Sequence, residues 1–450
     1  MGKTFHWIVL TFVTMCTVII YGVSVNLIQN TPPYILASPQ PKENITMTVI
    51  FNQFNFKDAG KSLVDSAADK LRSNHPDLGI NIKYIEIPIY NNTRNQIIKA
   101  ITNGTNLDIV SLDQIWLGEF AQKGLLTELT NYTKKWGQLS DWYQTNLDGM
   151  LYNNSIYGVW VWTDVRGIWY WKDLLNKAGV DPNSLETWNG YISSAKKLNT
   201  ALRPQGIEGV HLTGASHSPD LWYPYLWMQG GDILQLKEGH PTKGTYWFPA
   251  YNSSAGLKAM EFIKAQIDAG VKPQKEHFWG KEFLDRKFAV MIEVSSLGSF
   301  LGKEESGNVQ FIPMFPVPNN KTQNSTLMGG WEFSIPVTSS HKSLAWELIE
   351  LMLRPQVLTP WIAAEQGYLP TQITLGEGNG SYANLLRKSI PFYDDMISMI
   401  PQGQGRPSIP EYPAIAQDIR QALDDVYYGI KEPKQALNDA ATKSAKTLGW

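Results

Sequence analysis

Residues 157–175 read YGVWVWTDVRGIWYWKDLL and place four tryptophans around one carboxylate and one guanidinium. The charged pair is Asp164 and Arg166, and Trp162 lies just before it. Aromatic faces stack on the C–H faces of sugar rings, while carboxylate and guanidinium groups hydrogen-bond hydroxyls in a concave site. A buried strand followed by a helix explains any single Trp equally well. For the segment as a whole, the polar pair inside the aromatic run favours a ligand site.

The composition argues against nucleic acid as a partner and against a disulfide framework. The 450 residues carry a formal charge of −2, and no basic block is present that could contact a phosphate backbone. Cys16 is the only cysteine, which excludes an intramolecular disulfide and a cysteine-based zinc site. A chain of this length can bury two or three ordinary cores.

The motifs of the common metal, phosphate and acyl-transfer sites are absent from the sequence. His211 and His217 have no acidic partner at metal-ligand spacing, so we expect neither a metal nor a cofactor. A glycoside hydrolase needs two carboxylates about 5–9.5 Å apart. The sequence leaves that alternative open, because four acidic residues could form such a pair: Asp113, Asp164, Glu293 and Glu332.

The N-terminus predicts a membrane-associated chain. Residues 7–28 form an uncharged, mostly apolar run that is long enough to span a bilayer, and Lys3 is the only charge before it. We therefore expect residues 1–28 to be an uncleaved anchor, with a cleaved signal as the alternative. Residues 29–44 contain four prolines and are expected to form an extended tether.

The chain also contains nine N-x-S/T sequons, which fit exposure outside the cell. They begin at Asn44, Asn91, Asn103, Asn131, Asn153, Asn252, Asn320, Asn324 and Asn379.

Strand and helix signals alternate in the first folded part. Strand-like runs at 46–51, 80–87 and 107–112 are separated by helical spacing at 58–74 and 96–102. This alternation predicts an α/β fold with a parallel, doubly wound sheet. Ligands bind beyond the carboxyl ends of such strands, where Gln53 and Asp113 follow the first and third runs.

Helical signals continue through the rest of the chain. A strand-like run covers 288–291, and a short strand after Gly329 leads into a helix that we expect Pro355 to stop. The predicted helices are 172–178, 190–199, 254–269, 342–353, 415–428 and 434–448.

Four blocks, in order and with matching spacing, resemble the maltose- and trehalose-binding branch of the family 1 extracellular sugar-binding proteins of ABC importers. The likeness covers roughly residues 46–448. The blocks are LDIVSLDQIWLGEFAQKGLLTEL at 107–129, YGVWVWTDVRGIWYWKDLLNKAGVDPNSLETW at 157–188, GGWEFSIPVTSSHKSLAWELIELML at 329–353 with GYLPT after it, and GRPSIPEYPAIAQDIRQALDDVYYGIKEPKQALNDAA at 405–441.

The resemblance implies a periplasmic-binding-protein-like fold, in which two doubly wound α/β lobes are joined by a hinge and the ligand lies in the cleft between them. By this analogy, lobe 1 comprises 45–157 plus 333–375, and lobe 2 comprises 163–330 plus 376–450. The hinge would lie near 158–162, near 329–331 and around 373–377.

The resemblance also implies ligand-binding roles for particular residues. Asp113 and Asp164 match hydroxyl-binding carboxylates, although Asp113 could equally be a helix N-cap. Trp331 matches a stacking tryptophan. Its neighbours Gly329 and Gly330 would let backbone N–H groups approach the ligand.

Arg406 matches an Arg-Pro element that helps to bind sugar hydroxyls, with a surface loop as the alternative. Gln53 matches an acidic or amide contact. Trp116, in the block of Asp113, and Trp162 and Arg166, beside Asp164, join the predicted ligand-binding set.

Two departures from the family pattern limit any inference about the exact sugar. Residues 293–300 read EVSSLGSF where the family often has a tryptophan, so one stacking platform is missing or relocated. A lipoprotein-type cysteine motif is also missing, which together with the anchor and the sequons suits an archaeal-type cell surface. The aromatic residues that could supply a replacement platform are Trp222, Tyr223, Trp227 and Trp247, of which Trp227 is included in the predicted set.

The expected protein is a monomeric, non-enzymatic receptor on the extracellular face of the cell membrane. It would capture a di- or oligosaccharide and deliver it to an ABC permease. Three alternatives remain at this point: a secreted glycoside hydrolase, a sensory ectodomain, and a binding protein for a non-sugar solute.

Overall fold

The computed structural model describes residues 43–51, 59–87, 92–213, 219–274, 280–302, 305, 307–319, 324–365 and 367–450. Gln53, the predicted anchor or signal at 1–28 and all but the last two residues of the predicted tether at 29–44 lie outside the described residues. Within these ranges, no helix is both long enough and apolar enough to cross a membrane.

The strands of the described residues belong to two main sheets and four small two-stranded sheets. They are β1 (Glu43–Ile50), β2 (Leu78–Ile85), β3 (Ile109–Asp113), β4 (Leu151–Tyr152), β5 (Ser155–Ile156), β6 (Val159–Asp164), β7 (Arg166–Trp171), β8 (Glu208–Val210), β9 (Leu212–Thr213), β10 (Leu234–His240), β11 (Gly244–Pro249), β12 (Pro273–Gln274), β13 (Phe288–Val294), β14 (Val309–Ile312), β15 (Thr326–Leu327), β16 (Gly329–Ser334), β17 (Leu369–Pro370) and β18 (Gly403–Gln404).

The α-helices surround these sheets. They are α1 (Ala59–Asn74), α2 (Thr93–Thr102), α3 (Leu117–Gln122), α4 (Thr130–Trp136), α5 (Gln144–Gly149), α6 (Lys172–Ala178), α7 (Trp188–Leu202), α8 (Tyr223–Met228), α9 (Ser254–Asp268), α10 (Lys281–Leu284), α11 (Lys342–Met352), α12 (Pro355–Glu365), α13 (Ile373–Gly376), α14 (Ser381–Ser389), α15 (Tyr393–Met399), α16 (Tyr412–Tyr427) and α17 (Pro433–Thr447).

The large sheet has the strand order β17-β6-β16-β3-β1-β2. Strand β1 runs parallel to β2 and β3, as the alternating pattern predicts. Helix α1 connects β1 to β2 and buries Leu63, Ala67 and Leu71 completely, so its predicted apolar spacing forms part of the core. The α/β prediction is confirmed.

The parallel arrangement was predicted from the first folded part, and the other half of this sheet is antiparallel. Strand β16 runs antiparallel to both β3 and β6, and β17 runs antiparallel to β6. Strand β16 is distant in sequence from β3 and β6. Its position between them depends on long-range contacts, which local periodicity does not report.

The small sheet has the order β14-β7-β13-β8, and the chain enters it immediately after β6. Only Val165 separates β6 in the large sheet from β7 in the small sheet. The chain returns to the large sheet at β16, where Gly329–Ser334 pairs with β6 and β3. The lobe limits implied by the resemblance stay a prediction.

Two further elements differ from the sequence-based expectations. Helix α11 ends at Met352 as expected, but Pro355 begins α12, because a proline at the first helical position has no N–H to lose. The hairpin β10–β11 was not predicted, since the five central residues of β10 are all exposed and therefore show no apolar alternation.

Candidate functional site

Asp113 lies at the carboxyl end of β3 and has two roles. Its Oδ1 accepts a hydrogen bond from the Ile115 backbone N–H at 3.3 Å, which caps the short 3-10 helix Gln114–Trp116. The same Oδ1 lies 3.2 Å from Nη2 of Arg406. The N-cap geometry and the pairing with Arg406 are therefore both present.

Asp164 ends β6 and is bound on two sides. Its Oδ1 accepts a hydrogen bond from the Gly329 N–H at 3.1 Å and one from Arg166 Nη1 at 2.6 Å. Arg166 Nη1 also donates to the Leu327 carbonyl oxygen at 3.1 Å. The segment that connects the large sheet to the small sheet thus contains an ion pair between Asp164 and Arg166, which are two positions apart in the sequence.

Asp220, which the sequence analysis missed, joins these two pairs. It lies on the 3-10 helix Pro219–Leu221, with Oδ2 at 3.2 Å from Arg406 Nη1 and at 3.9 Å from Arg166 Nη2. No motif or spacing in the sequence marks this residue. The resulting order is Asp164, Arg166, Asp220, Arg406, Asp113, which we call the charge cluster.

Burial within the charge cluster follows the sign of the charge. The side chains of Arg406 and Arg166 are 7% and 10% exposed, whereas those of Asp164 and Asp113 are 18% and 21% exposed. The arginines therefore lie deepest, and the carboxylates of the two strand ends keep the most accessible surface. Carboxylate oxygens in such positions can accept hydrogen bonds from hydroxyl groups.

The cluster shifts the pKa values of two of its members. Burial raises the pKa of the Asp113 carboxyl above its usual range, and the nearby Asp220 and Asp164 add to this effect against the opposing influence of Arg406. Burial alone would lower the pKa of the Arg406 guanidinium. The surrounding carboxylates, Asp220 first, outweigh it and raise that pKa.

Two tryptophans lie beside the cluster. Trp331 on β16 is directly opposite Asp113 on β3, and its ring meets that of Trp116 edge-on, with centroids 5.6 Å apart. Gly330 permits this arrangement, because its φ is +152° and a Cβ there would collide with the Trp160 indole. Trp116 is half-buried. The pair therefore places aromatic surface next to a carboxylate.

Trp162 and Trp227 of the predicted set are packed in the core. The Trp162 ring is 2% exposed and stacks on Phe51 with centroids 5.9 Å apart. Trp227 on α8 is 6% exposed and packs on Tyr223. Their roles as ligand residues stay predictions, since the structure places each among other rings and not in the charge cluster.

Glu332 follows Trp331 on β16 and is completely buried. Among the described residues neither carboxyl oxygen has a hydrogen-bond partner, and a Cβ at Gly158 would collide with Oε2. Burial raises the pKa of this carboxyl well above its ordinary value near 4.5, and the nearby Asp113 adds to the rise. Burial therefore favours the neutral form of Glu332.

A cavity of about 950 Å³ adjoins the charge cluster at Arg406, which is one of its lining residues. It lies between the β4–β5 hairpin and the β10–β11 hairpin, with residues 403–410 as its floor. Of the four aromatic residues considered as a replacement platform, only Trp247 lines this cavity, and it is half-buried. The other three are buried in the core.

Within the part of the chain that the structure describes, no group of three His, Cys, Asp or Glu side chains is placed to hold a metal ion.

Comparisons with known proteins agree with this architecture. Residues 55–358 match the family model of the bacterial extracellular solute-binding proteins. A binding protein of Brucella abortus is 25% identical over 377 residues, which is 82% of this chain and 86% of that protein.

Two solved structures share the fold. The cyclic α-maltosyl-1,6-maltose binding protein of Arthrobacter globiformis superposes with a TM-score of 0.75 at 22% identity, covering 90% of this chain and 99% of that one. The GacH receptor of Streptomyces glaucescens, solved unliganded and with acarbose, gives 0.73 at 21% identity, covering 90% and 98%.

Periplasmic solute-binding proteins of this kind have a two-lobe α/β fold, so the predicted fold class is confirmed. The family match spans well over half of the sequence. This chain belongs to the bacterial extracellular solute-binding protein family.

Proposed function

We propose that this chain captures a di- or oligosaccharide outside the cell and delivers it to the permease of an ABC transporter. The observation that carries the proposal is the charge cluster with Trp331 and Trp116 beside it. The cluster would bind hydroxyl groups, and the ring pair would contact a sugar face.

The carboxylates of Asp113 and Asp164 supply the hydrogen-bond acceptors. Each keeps accessible surface while an arginine neutralises its charge, so a neutral polyhydroxylated ligand can bind without leaving a buried charge unpaired. Charge-assisted hydrogen bonds contribute about 1.5–3 kcal/mol each, so a few of them reach micromolar affinity after ordering costs.

The location of the cluster supports coupling between binding and lobe closure. Asp113 and Asp164 end strands of the large sheet, whereas Arg166 begins a strand of the small sheet. A ligand that contacts both sets binds the closed arrangement better than the open one, and this differential affinity is what can drive closure.

The substrate class draws support from two related structures. One relative binds cyclic α-maltosyl-1,6-maltose and the other was solved with acarbose. The aromatic pair beside the carboxylates of this chain fits the same class of ligand.

Membrane attachment through residues 1–28 and an archaeal-type cell surface belong to the same proposal. They rest on the apolar run at 7–28, the tether after it and the sequons. Gln53, which follows the first strand, remains a proposed ligand contact on the resemblance alone.

A thermal-shift screen of the full chain against mono-, di- and oligosaccharides tests the function, with each sample checked for hydrolysis products. A ligand at 100 times its Kd adds about 2.7 kcal/mol of stability, which raises Tm by a degree or more. A shift without products supports the receptor. Products would instead identify a glycoside hydrolase, and no shift with any sugar would reject the substrate class.

Matched variants locate the site. Asp164→Asn removes a carboxylate of the charge cluster and is expected to abolish the sugar-dependent shift in Tm. Asp148→Asn changes an exposed carboxylate that lines the 950 Å³ cavity and is expected to preserve that shift. The reverse result would place the ligand in that cavity.

A further inference from the structure

The sequons are more frequent than the composition explains. The chain has 28 asparagines, and Ser or Thr makes up about one residue in eight. Random order would therefore produce about three or four N-x-S/T sequons, whereas nine are present. The excess indicates that some of these positions serve a purpose, and this conclusion is independent of the solute that the chain binds.

Seven of the nine sequon asparagines lie among the described residues, and they differ in solvent exposure. Six are exposed on the surface of the folded chain, and one is not. The exposed positions are Asn44, Asn103, Asn131, Asn153, Asn252 and Asn379.

Most of the exposed positions lie where the backbone is accessible. Asn153 is in the turn between β4 and β5, with φ at +48°, and Asn103 directly follows α2. Asn252 lies between β11 and α9, and Asn379 lies between α13 and α14. A bulky, solvated glycan at such positions displaces no packed side chain.

Asn324 is the exception. Its Nδ2 donates to the Pro313 carbonyl oxygen at 3.3 Å, and its Oδ1 accepts from Ser325 N–H at 2.8 Å and Phe315 N–H at 3.3 Å. The hydroxyl of its sequon, on Thr326, is completely buried and accepts a hydrogen bond from the Arg166 backbone N–H at 2.9 Å. Asn324 is half-buried and its side chain is held by three hydrogen bonds, so a bulky glycan on Nδ2 would be crowded by the surrounding chain.

We propose that the chain is N-glycosylated at the six exposed asparagines and not at Asn324. The side-chain Nδ2 forms a bond to the anomeric carbon of a lipid-pyrophosphate-linked oligosaccharide. The bond from that carbon to the pyrophosphate oxygen breaks, and the pyrophosphate leaves as the amide loses one proton. The product keeps one N–H on Nδ2, so the hydrogen bond from Asn252 Nδ2 to Asn438 Oδ1 can persist.

The distribution fits a binding protein. None of the six asparagines hydrogen-bonds a member of the charge cluster within the described part of the chain. Asn153 lines the 950 Å³ cavity that Arg406 also lines, so its glycan would lie nearest to the cluster, whereas the other five asparagines are not among the residues that line this cavity.

Glycopeptide mass spectrometry of the full chain, purified from the membranes of its own cells, tests the proposal. The same chain made in a bacterium without an oligosaccharyl transferase provides the unmodified mass. We expect glycan on peptides that contain the exposed asparagines and an unmodified peptide around Asn324. Unmodified peptides at all six positions, or glycan on Asn324, would overturn the proposal.

A pair of variants provides a second measurement. Asn252→Gln is expected to lose the mass of one glycan from the intact protein, with the sugar-dependent thermal shift unchanged. Asn324→Gln is expected to keep the full glycan mass and to lower Tm, because the longer side chain cannot make the same three hydrogen bonds. A glycan lost with Asn324→Gln and not with Asn252→Gln contradicts the proposal.

Discussion

Two groups of aromatic side chains each include a residue of β16 and differ in what surrounds them. Trp162 of β6 and Phe333 of β16 contact Phe51, and Trp162 also lies 5.3 Å from both Trp361 and Tyr368. Trp331, two residues from Phe333, meets Trp116 beside Asp113. In the first group rings pack on rings, and in the second a ring pair lies next to paired charges.

The comparison shows that aromatic content alone does not identify a ligand site. Trp162 and Trp331 have the same residue type and almost the same burial, 2% and 5% exposed. Their neighbours distinguish them, because a sugar needs polar acceptors within reach of the ring face. The following predictions test whether the first group stabilises the fold and the second binds the ligand.

The largest effect is expected for Trp162→Ala. Removing the buried Trp162 indole from the first aromatic group leaves a cavity and is expected to lower the free energy of unfolding by about 3–5 kcal/mol. Urea denaturation measures this loss. Trp116→Ala, at a half-buried position, serves as the control and should cost less. A stable Trp162→Ala protein with tenfold weaker sugar binding would move Trp162 into the site.

Arg406→Met tests the charged surroundings of the second group. The substitution leaves Asp113 and Asp220 without their shared cation, and we expect a loss of about 2–4 kcal/mol at pH 7. The loss should shrink at pH 4, where protonation reduces the negative charge left by removal of the Arg406 guanidinium. Lys243→Met, which breaks a longer ion pair with Glu411 in which the lysine side chain is 39% exposed, is the control and should cost under about 1 kcal/mol. Equal losses in both variants would show that the cluster is not a strongly coupled unit.

Trp331→Ala addresses binding directly. We expect at least tenfold weaker sugar affinity, about 1.4 kcal/mol, measured by calorimetry on folded protein. Trp361→Ala removes a comparably buried ring from the other group and should leave affinity unchanged. Unchanged affinity in Trp331→Ala would remove this residue from the proposed site.

Glu332 lies between Trp331 and Phe333 on β16. Unlike Asp113 and Asp164, its carboxyl group is not paired with an arginine of the described residues. Because its pKa is raised in the folded chain, the folded state holds a proton that the unfolded state releases above about pH 4.5. Its contribution to stability is therefore full below that pH and decreases as the pH rises towards the folded pKa, by at most about 1.4 kcal/mol per pH unit. Glu332→Gln should flatten the dependence of Tm on pH between 5 and 8. An unchanged slope would mean that another group causes it.

Much of the first half of the fold could be predicted because local periodicity determines it. The strands and helices through β3 follow apolar spacing, and Asp113 could be placed at a strand end for that reason. The four-block resemblance supplied Asp164, Trp331 and Arg406 as site candidates, and the structure brings all three to adjoining positions.

Other features depend on long-range contacts that no local pattern reports. Asp220 lies 186 residues from Arg406 in sequence, and only the folded chain brings them together. The core position of Trp162 arises in the same way, from the approach of α12 and the segment after it. The alternation along β6 is equally compatible with a ring in the core and with a ring in a cleft.

Val165, the single residue between β6 and β7, is where we expect one connection between the two sheets to turn if the lobes move. Rotation about Val165 displaces atoms in proportion to their distance from it, so a turn of about 10° moves an atom 20 Å away by about 3.5 Å. Asp164 and Arg166 lie on either side of Val165, so the same turn would change their separation less than that of pairs farther from the axis. On this prediction the Asp164–Arg166 pair stays close to the axis, while more distant contacts between the sheets open and close.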